Sequence, residues 1–374
     1  MPDFAEPRSV IRRAIDARVF PGAVVEVGTS DAVLWREAMG RLTYGPSAAP
    51  ARIDTVYDLA SLTKVIATAT LAMRLVEGRR LQLSDCVAAW LPAWSGSDRA
   101  SVTIRHLLAH SSGLPFWLPL FRSCTGRAAF EQAICALPLD FEPGTAARYS
   151  DLGFILLGFI MADAGGAALD VQFNRLWADL QGAPASSPPG RSDDGGGPPP
   201  RYIGFCPPVG WSQHIAPTET DAWRNRVLVG EVHDENGFAL GGVAGHAGLF
   251  GTAAGVGAFA QAMLGARLGR TGSLAAADTV AAFTARQPEP ATSRALGWDT
   301  MLPTSSCGTR MSPDAFGHTG FTGTSLWIDP GRDVYVALLT NRVHPSREGD
   351  AIARVRPAVH DAVMAHVLSR RPSR

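Results

Sequence analysis

Apolar residues follow two different patterns along this chain, and each pattern occupies its own part of the sequence. Short runs rich in Val and bounded by Gly or Asp lie near both ends and are typical of β-strands. We predict strands at 22–28, 32–40, 324–328 and 334–340. The other apolar segments have the length and spacing of helices with one buried side. We predict helices at 7–18, 61–76, 102–109, 126–136, 152–162, 254–268 and 351–368.

Strands at both ends and helices between them favour one architecture. The two ends pair into a single antiparallel sheet, which the first and last helices cover, and the middle forms a second lobe. We therefore predict an α+β fold with one lobe from 1–61 and 288–374 and an inserted, mostly helical lobe at 62–287. The stretch 182–200 is crowded with Gly, Pro, Ser and Asp and is predicted to be a loop. A functional site is expected in the cleft between the lobes.

Charge and composition then limit the function. Basic and acidic residues balance at 34 each, so nothing predicts binding to nucleic acid or to an anionic membrane. The longest apolar stretch, 154–162, is too short to span a bilayer. No secretory signal opens the chain, and its five scattered cysteines suit reduced thiols. We expect a cytoplasmic protein, or a periplasmic one if a leader is missing, that uses no cofactor. The oligomeric state is left open.

Lys64 is the only lysine in the chain, since the other 33 of its 34 basic residues are arginines. A buried lysine can lose its proton and an arginine effectively cannot, so a site that needs a neutral amine cannot accept Arg. Lys64 follows Ser61 by three residues at the start of an apolar helix, and positions i and i+3 share a helix face. The pair predicts a nucleophilic serine with an amine beside it, next to the free N–H groups of a helix N-terminus.

A second candidate segment, Tyr149-Ser150-Asp151, precedes the apolar helix predicted at 152–162. Asp151 has the position of an N-cap, and capping is favoured for it over a direct chemical role. Capping gives no reason for a tyrosine at position 149, so Tyr149 is a candidate for chemistry.

The third candidate segment runs from His318 through Thr319 and Gly320 to Phe321, just before a predicted strand. Gly320 permits close approach of the backbone, and Phe321 could offer an N–H group to an oxyanion. Taken alone, the segment is better explained as a glycine-rich turn without a chemical role.

The three segments in this order resemble the serine β-lactamase and penicillin-binding protein superfamily. The resemblance is strongest to the class C-like branch, which includes esterases and D-alanyl-D-alanine carboxypeptidases. That branch has Tyr-x-Asn where this chain has 149–151 and Lys-Thr-Gly where it has 318–320, and segments 101–114 and 241–250 also match. The resemblance covers most of the chain and implies a β-lactamase/transpeptidase-like α+β fold.

The resemblance also implies a role for each candidate residue. Ser61 is the nucleophile, Lys64 takes or orients its proton, and Tyr149 passes that proton to the leaving group and activates the deacylating water. The backbone N–H groups of Ser61 and Phe321 form the oxyanion hole. The implied substrate-binding residues are Asp151, His318, Thr319, Gly320 and Phe321.

Two residues depart from the family pattern. Asp151 replaces a neutral amide, and a carboxylate near Lys64 favours the charged ammonium. His318 replaces a lysine that holds substrate carboxylates, and a histidine is mostly uncharged near neutral pH. Both departures argue against β-lactam antibiotics as the natural substrate.

The sequence therefore predicts a serine hydrolase that cleaves a small ester, amide or peptide through an acyl-enzyme on Ser61. Carboxylesterase and D-alanyl peptidase activities rank ahead of β-lactamase activity. Two alternatives stay open: a penicillin-binding sensor that is acylated without turnover, and an acyltransferase. His233 and His246 are expected to shape the cleft, because no metal-ligand spacing accompanies them.

Overall fold

The computed structural model describes residues 4–182, 197–270, 274–288, 290 and 292–370, and its largest feature is a six-stranded antiparallel sheet. The strands of the described residues are β1 (Gly22–Gly28), β2 (Val33–Gly40), β3 (Tyr57–Asp58), β4 (Ile203–Phe205), β5 (Thr220–Asp221), β6 (Arg226–Val227), β7 (Leu249–Gly251), β8 (Asp299–Thr300), β9 (Phe316–Thr319), β10 (Ser325–Asp329) and β11 (Val334–Thr340). The large sheet has the order β2-β1-β11-β10-β9-β8, so strands from both ends of the chain meet in it. The predicted α+β fold is confirmed.

The central strands of this sheet are buried along their whole length. Every residue of β1 and of β11 is buried, which is why their sequences are nearly continuous apolar runs. They pair antiparallel with Val24 opposite Leu339 and Val27 opposite Val336. The predicted strand ends lie within one residue of those observed, because Gly and Asp punctuate them.

Helices cover both faces of the large sheet. The α-helices of the described residues are α1 (Ala5–Asp16), α2 (Thr70–Glu77), α3 (Ile104–Leu108), α4 (Gly126–Cys135), α5 (Asp151–Gly165), α6 (Leu169–Gln181), α7 (Glu235–Ala239), α8 (Ala253–Arg267), α9 (Ala277–Thr284) and α10 (Ile352–Ser369). The terminal helices α1 and α10 pack on one face, where Ile11, Val359 and Val363 share an apolar cluster with Val25 and Val336. On the other face α8 packs against β1 and β11. The expected cover by the first and last helices is confirmed.

The segment predicted as one α-helix at 61–76 is more varied than expected. Ser61 lies in a turn, residues 62–63 are α-helical, Lys64–Ala69 is a π-helix, and the α-helix Thr70–Glu77 follows. The hydroxyl of Thr70 donates to the carbonyl oxygen of Val65 at 2.8 Å, across the wider turn of the π-helix. Apolar spacing cannot distinguish the two helix types, and π-helical turns concentrate at functional sites.

Helix α5 is the central helix of the fold and is apolar on nearly all sides. Twelve of its fifteen residues are buried, as expected for a helix enclosed by protein on every face. Among the described residues, no single helix has both the length and the apolar character needed to cross a membrane. Helices α5 and α6 meet those criteria only when they are taken together across a 71° bend.

Several elements left no clear pattern in the sequence. A small sheet of order β3-β7-β4 joins strands of two or three residues, which are too short to show alternation. Helices α6, α7 and α9 were also not predicted. Most of the loop predicted at 182–200 lies outside the described residues. The division into lobes at 61/62 and 287/288 stays a prediction.

Candidate active site

The hydroxyl oxygen of Ser61 is the meeting point of the predicted residues. Lys64 Nζ donates to Ser61 Oγ at 2.9 Å, and the phenol of Tyr149 donates to the same oxygen at 2.7 Å. Tyr149 is 88 residues away in sequence and comes to Ser61 from the segment before α5. The structure therefore brings the first two candidate segments into direct contact.

The backbone around Ser61 is strained in a way that exposes the hydroxyl. Ala60 has a positive φ of 47°, which is unfavourable for a residue with a Cβ and is typical of functional sites. The Asp58 carboxylate holds this turn by accepting from the N–H of Ala60 at 2.8 Å. After the turn, the N–H of Lys64 bonds the carbonyl oxygen of Ser61 at 3.1 Å. This tight first turn places the side chains of Ser61 and Lys64 together.

Lys64 is fully buried beneath Ser61, and three oxygens surround its ammonium. It donates to Ser61 Oγ and to the carbonyl oxygen of His246, each at 2.9 Å, and forms an ion pair with Asp151 Oδ1 at 2.6 Å. Burial alone would lower the pKa of Lys64, but the Asp151 carboxylate and the Tyr149 oxygen together raise it above its usual value. The resting side chain is a charged ammonium, as the presence of Asp151 led us to expect.

Asp151 does not cap α5, which corrects the sequence interpretation. Ser150 is the N-cap, and its hydroxyl accepts from the N–H of Gly153 at 3.2 Å. Asp151 is the first helical residue and turns toward Lys64. Two adjacent residues can both be caps by composition, and only the backbone conformation of Ser150 decides between them.

Tyr149 is held in its un-ionised form. Burial, followed by the nearby Asp151 charge, raises the pKa of its phenol to about 12. Its ring lies between those of His110, at 4.7 Å between centres, and His318, at 5.9 Å. The hydroxyl is thereby fixed as a donor to Ser61.

His318 occupies the third candidate segment at the end of β9. Its side chain is buried, and burial, Lys64 and Arg294 hold its pKa well below the usual value. The ring Nδ1 lies 2.8 Å from the carbonyl oxygen of Thr319, so this nitrogen carries the proton of the neutral ring. His318 therefore provides no positive charge for a substrate carboxylate.

The rest of the third segment brings backbone close to Ser61. A Cβ on Gly320 would lie 2.6 Å from the carbonyl oxygen of Leu59, so only glycine allows this approach. Among the described residues, the N–H groups of Ser61 and Phe321 have no hydrogen-bond acceptor in the protein. Both are available to an oxyanion. The ring of Phe321 is half exposed.

A cavity of about 500 Å³ opens beside Ser61. Its lining includes every predicted site residue except Lys64, which lies beneath it. These lining residues are Ser61, Tyr149, Asp151, His318, Thr319, Gly320 and Phe321. Among the described residues, no group of three or more His, Cys, Asp or Glu side chains is arranged to hold a metal ion.

The segment around His246 forms one wall of the cavity and fixes Lys64 from behind. His246 Nε2 lies 2.7 Å from Asp234 Oδ1, and Gly245 presents its carbonyl oxygen to the hydroxyl of Thr68 at 2.6 Å. Burial opposes ionisation of Asp234, but the imidazole and the N–H of Gly237 hold its pKa well below the usual range. The expectation that His246 shapes the cleft stays a prediction, yet its carbonyl contact with Lys64 was not foreseen.

Four arginines line the cavity, and sequence reasoning identified none of them. Arg347 pairs with two glutamates, while Arg342 and Arg356 donate to backbone carbonyls. Arg294 is different: its guanidinium lies 5.5 Å from the ring centre of Tyr149, and no carboxylate of the described residues forms an ion pair with it. The sequence around Arg294 does not distinguish it from the other 32 arginines, so only the tertiary structure shows that it lines the cavity.

Comparisons with known proteins agree on one family. A sequence model described as Beta-lactamase matches residues 8–360. An Escherichia coli K12 protein named provisionally as a D-alanyl-D-alanine carboxypeptidase is 33% identical over 324 residues, 79% of this chain and 70% of that protein. The N-acetylmuramyl-L-alanine amidase of Bacillus subtilis 168 is 32% identical over 359 residues, 87% of this chain and 78% of that protein. A class C β-lactamase structure from Rhodobacter sphaeroides shares the fold, with a TM-score of 0.73 at 20% identity over 97% of this chain and 99% of that one.

Proposed function

This chain belongs to the β-lactamase family, and from that membership we propose that it is a serine hydrolase that forms an acyl-enzyme on Ser61. The observation that supports the proposal most directly is the pair of donors on one hydroxyl oxygen. Lys64 and Tyr149 both reach Ser61 Oγ, which lines a cavity large enough for a small substrate. A serine held in this way by proton-carrying groups is the usual arrangement of an activated nucleophile.

In the proposed reaction, Ser61 Oγ attacks the carbonyl carbon of an ester or amide. The negative charge that develops on the carbonyl oxygen is stabilised by the N–H groups of Ser61 and Phe321, for which the described part of the chain offers no acceptor. Tyr149 gives its proton to the departing oxygen or nitrogen, because its hydroxyl already points at the reacting atom. Water then releases the acyl group and restores Ser61.

For the substrate, we extend the proposal to an amide bond in a peptide derived from peptidoglycan. The two relatives described above carry names that specify amide cleavage in such molecules, and each aligns with more than two thirds of this chain. Arg294 adds support, because its guanidinium has no carboxylate partner among the residues that the structure describes and can bind the carboxylate of a peptide. It supplies the positive charge that His318 lacks.

The test combines four substrates with intact-mass measurement. The purified protein is incubated with a peptide ending in D-Ala-D-Ala, N-acetylmuramyl-L-alanine, p-nitrophenyl acetate and nitrocefin. We expect turnover of at least one amide substrate and an acyl-enzyme mass that Ser61→Ala abolishes. A single burst without steady-state turnover on every substrate would instead indicate a sensor, and acyl mass retained in Ser61→Ala would rule out Ser61 as the nucleophile.

Arg294→Gln tests the substrate part of the proposal separately. The ratio of kcat/KM for the anionic peptide to that for p-nitrophenyl acetate should fall about tenfold, mainly through KM, because a charge-assisted hydrogen bond is lost. Arg354→Gln removes an exposed arginine on α10 and serves as the control. An equal ratio in Arg294→Gln and Arg354→Gln would remove Arg294 from the binding site.

A further inference from the structure

Lys64 and Tyr149, the two groups that contact Ser61 Oγ, are both protonated in the resting site. Another group must therefore accept the proton of Ser61 during acylation. Lys64 is an ammonium that donates to Ser61 Oγ and to the His246 carbonyl oxygen and forms an ion pair with Asp151 Oδ1. An ammonium has no lone pair, so Lys64 in this state cannot take a proton. Tyr149 donates to Ser61 and has a pKa of about 12, so it is also protonated.

The groups that surround Lys64 and Asp151 come from several elements. The titratable and charged groups facing them are Tyr149, His110, His318, His246, Arg294 and Asp234. Burial lowers the pKa of both His110 and His318, which makes them weak bases. His110 Nδ1 already accepts from the N–H of Ser150, and Asp234 already accepts from His246 and Gly237.

Asp151 is the group that remains. Its carboxylate touches Lys64 at 2.6 Å, and it lines the cavity beside Ser61. An ionised carboxylate is an acceptor only, with room for a proton on either oxygen. The buried pair can also exchange its charges for a neutral amine and a neutral acid, because burial penalises both charged partners.

We propose that Asp151 is the final acceptor of the Ser61 proton during acylation and receives it through Lys64. This inference rests on the proposed acyl-enzyme function. A proton first moves from Lys64 Nζ to Asp151 Oδ1, so one Nζ–H bond breaks, an O–H bond forms, and a neutral amine and a neutral acid result. As Ser61 Oγ then bonds the substrate carbon, its O–H bond breaks and a new Nζ–H bond forms with the lone pair of Lys64. When the leaving group departs with the Tyr149 proton, the proton on Asp151 returns through Lys64 and replaces it on Tyr149. The site ends with its original number of protons.

The single lysine makes the protonation state of Lys64 directly measurable. Protein grown with lysine labelled with ¹⁵N at Nζ gives one side-chain signal, because the chain contains no other lysine. Its chemical shift reports the charge of Lys64 across pH, without any dependence on activity. The acylation rate is measured over the same range from the release of p-nitrophenol from p-nitrophenyl acetate, which is uncharged and adds no ionisation of its own.

Asp151→Asn is the informative variant, because it removes the acceptor and keeps the size of the side chain. In the wild type, we expect full acylation rates at pH values where Lys64 is still charged. In Asp151→Asn, burial without the neighbouring carboxylate lowers the pKa of Lys64, and Lys64 must lose its proton by itself. The acid limb of the rate profile should then coincide with the titration of Lys64 that NMR measures in this variant. Below that pKa the acylation rate should fall at least about tenfold relative to the wild type. Asp163→Asn, an exposed change on the same helix, is the control.

The outcomes separate the inference from the function on which it rests. If the wild-type acid limb coincides with the titration of Lys64, then Lys64 is itself the base and the inference is wrong. It is equally wrong if folded Asp151→Asn keeps the wild-type rate and acid limb. If the wild type forms no acyl-enzyme on Ser61, the proposed function fails first, and the NMR titration alone then reports whether Asp151 keeps Lys64 charged.

Discussion

Lys64 is the only lysine of the chain. Its surroundings explain why an arginine does not occupy this position. The side chain is completely buried, and three oxygens, two hydrogen-bonded and one ion-paired, lie between 2.6 and 2.9 Å from its single nitrogen. A guanidinium is planar and spreads its protons over three nitrogens, so it cannot place them on acceptors that surround a single point. Both the need for an exchangeable proton and the arrangement of the surrounding oxygens therefore require a lysine at position 64.

We therefore expect Lys64→Arg to be nearly as damaging as Lys64→Ala, although it keeps the positive charge. Each variant should lose more than about tenfold in kcat/KM, a cost above about 1.4 kcal/mol. The measurement is p-nitrophenyl ester hydrolysis, with circular dichroism to check folding. If Lys64→Arg keeps more than about a tenth of wild-type kcat/KM, Lys64 acts only through its charge.

At the scale of elements, the position of the segment that carries His246 depends on one close contact with α5. The segment carrying His246 packs directly on α5, and a Cβ on Gly245 would overlap the carbonyl oxygen of Phe154 and lie 2.7 Å from the nitrogen of Gly158. Both neighbours are backbone and cannot rotate away. This contact sets the position of the His246 carbonyl oxygen, to which Lys64 donates a hydrogen bond.

Gly245→Ala should consequently reduce both stability and activity. Overpacking against backbone costs about 1–3 kcal/mol, and displacement of the His246 carbonyl should lower kcat more than it raises KM. Urea denaturation and ester kinetics measure the two effects. Gly265→Ala in α8 is the matched control, since a Cβ there has its nearest neighbour at 4.0 Å and alanine favours a helix. Equal stabilities of the two variants would show that the Gly245 contact is not tight.

The local arrangement of apolar and turn-forming residues determines each of the elements that the sequence predicted. The strands of the large sheet and the terminal helices have apolar runs of sufficient length and clear punctuation. The π-helix Lys64–Ala69 and the small β3-β7-β4 sheet depend on tertiary contacts instead. The cap of α5 is also not determined by composition, because Ser150 and Asp151 are equally suitable and only the backbone conformation of Ser150 decides between them.

At the scale of the whole molecule, the site illustrates which functional residues a sequence reveals. Ser61 and Lys64 are close in sequence, so helix geometry alone brings them together. Tyr149 and His318 could be identified only from the order of motifs in a known family, because their contacts span 88 residues or more. Arg294 belongs to no motif, and the fold alone places it at the cavity.

The whole molecule also carries a pH dependence of stability that does not involve catalysis. Burial is the main reason that the pKa values of His110 and His318 lie well below the usual value, and burial with Arg356 lowers that of His360 to about 3. In the unfolded chain these histidines bind protons at about pH 6.5. The unfolded state therefore binds more protons as the pH falls, and the stability present above pH 6.5 is lost progressively below it.

We expect the free energy of unfolding to fall by about 1 kcal/mol for each of these three histidines between about pH 6.5 and about pH 5.5, or about 3 kcal/mol in total. Carboxyl groups contribute little in this window, because unfolded Asp and Glu titrate near about pH 4. Urea denaturation at several pH values measures the slope. His360→Gln should reduce that slope by about a third, whereas His214→Gln, a change at a partly exposed position, should leave it unchanged. A flat stability profile over this range would mean that the buried histidines become protonated without unfolding.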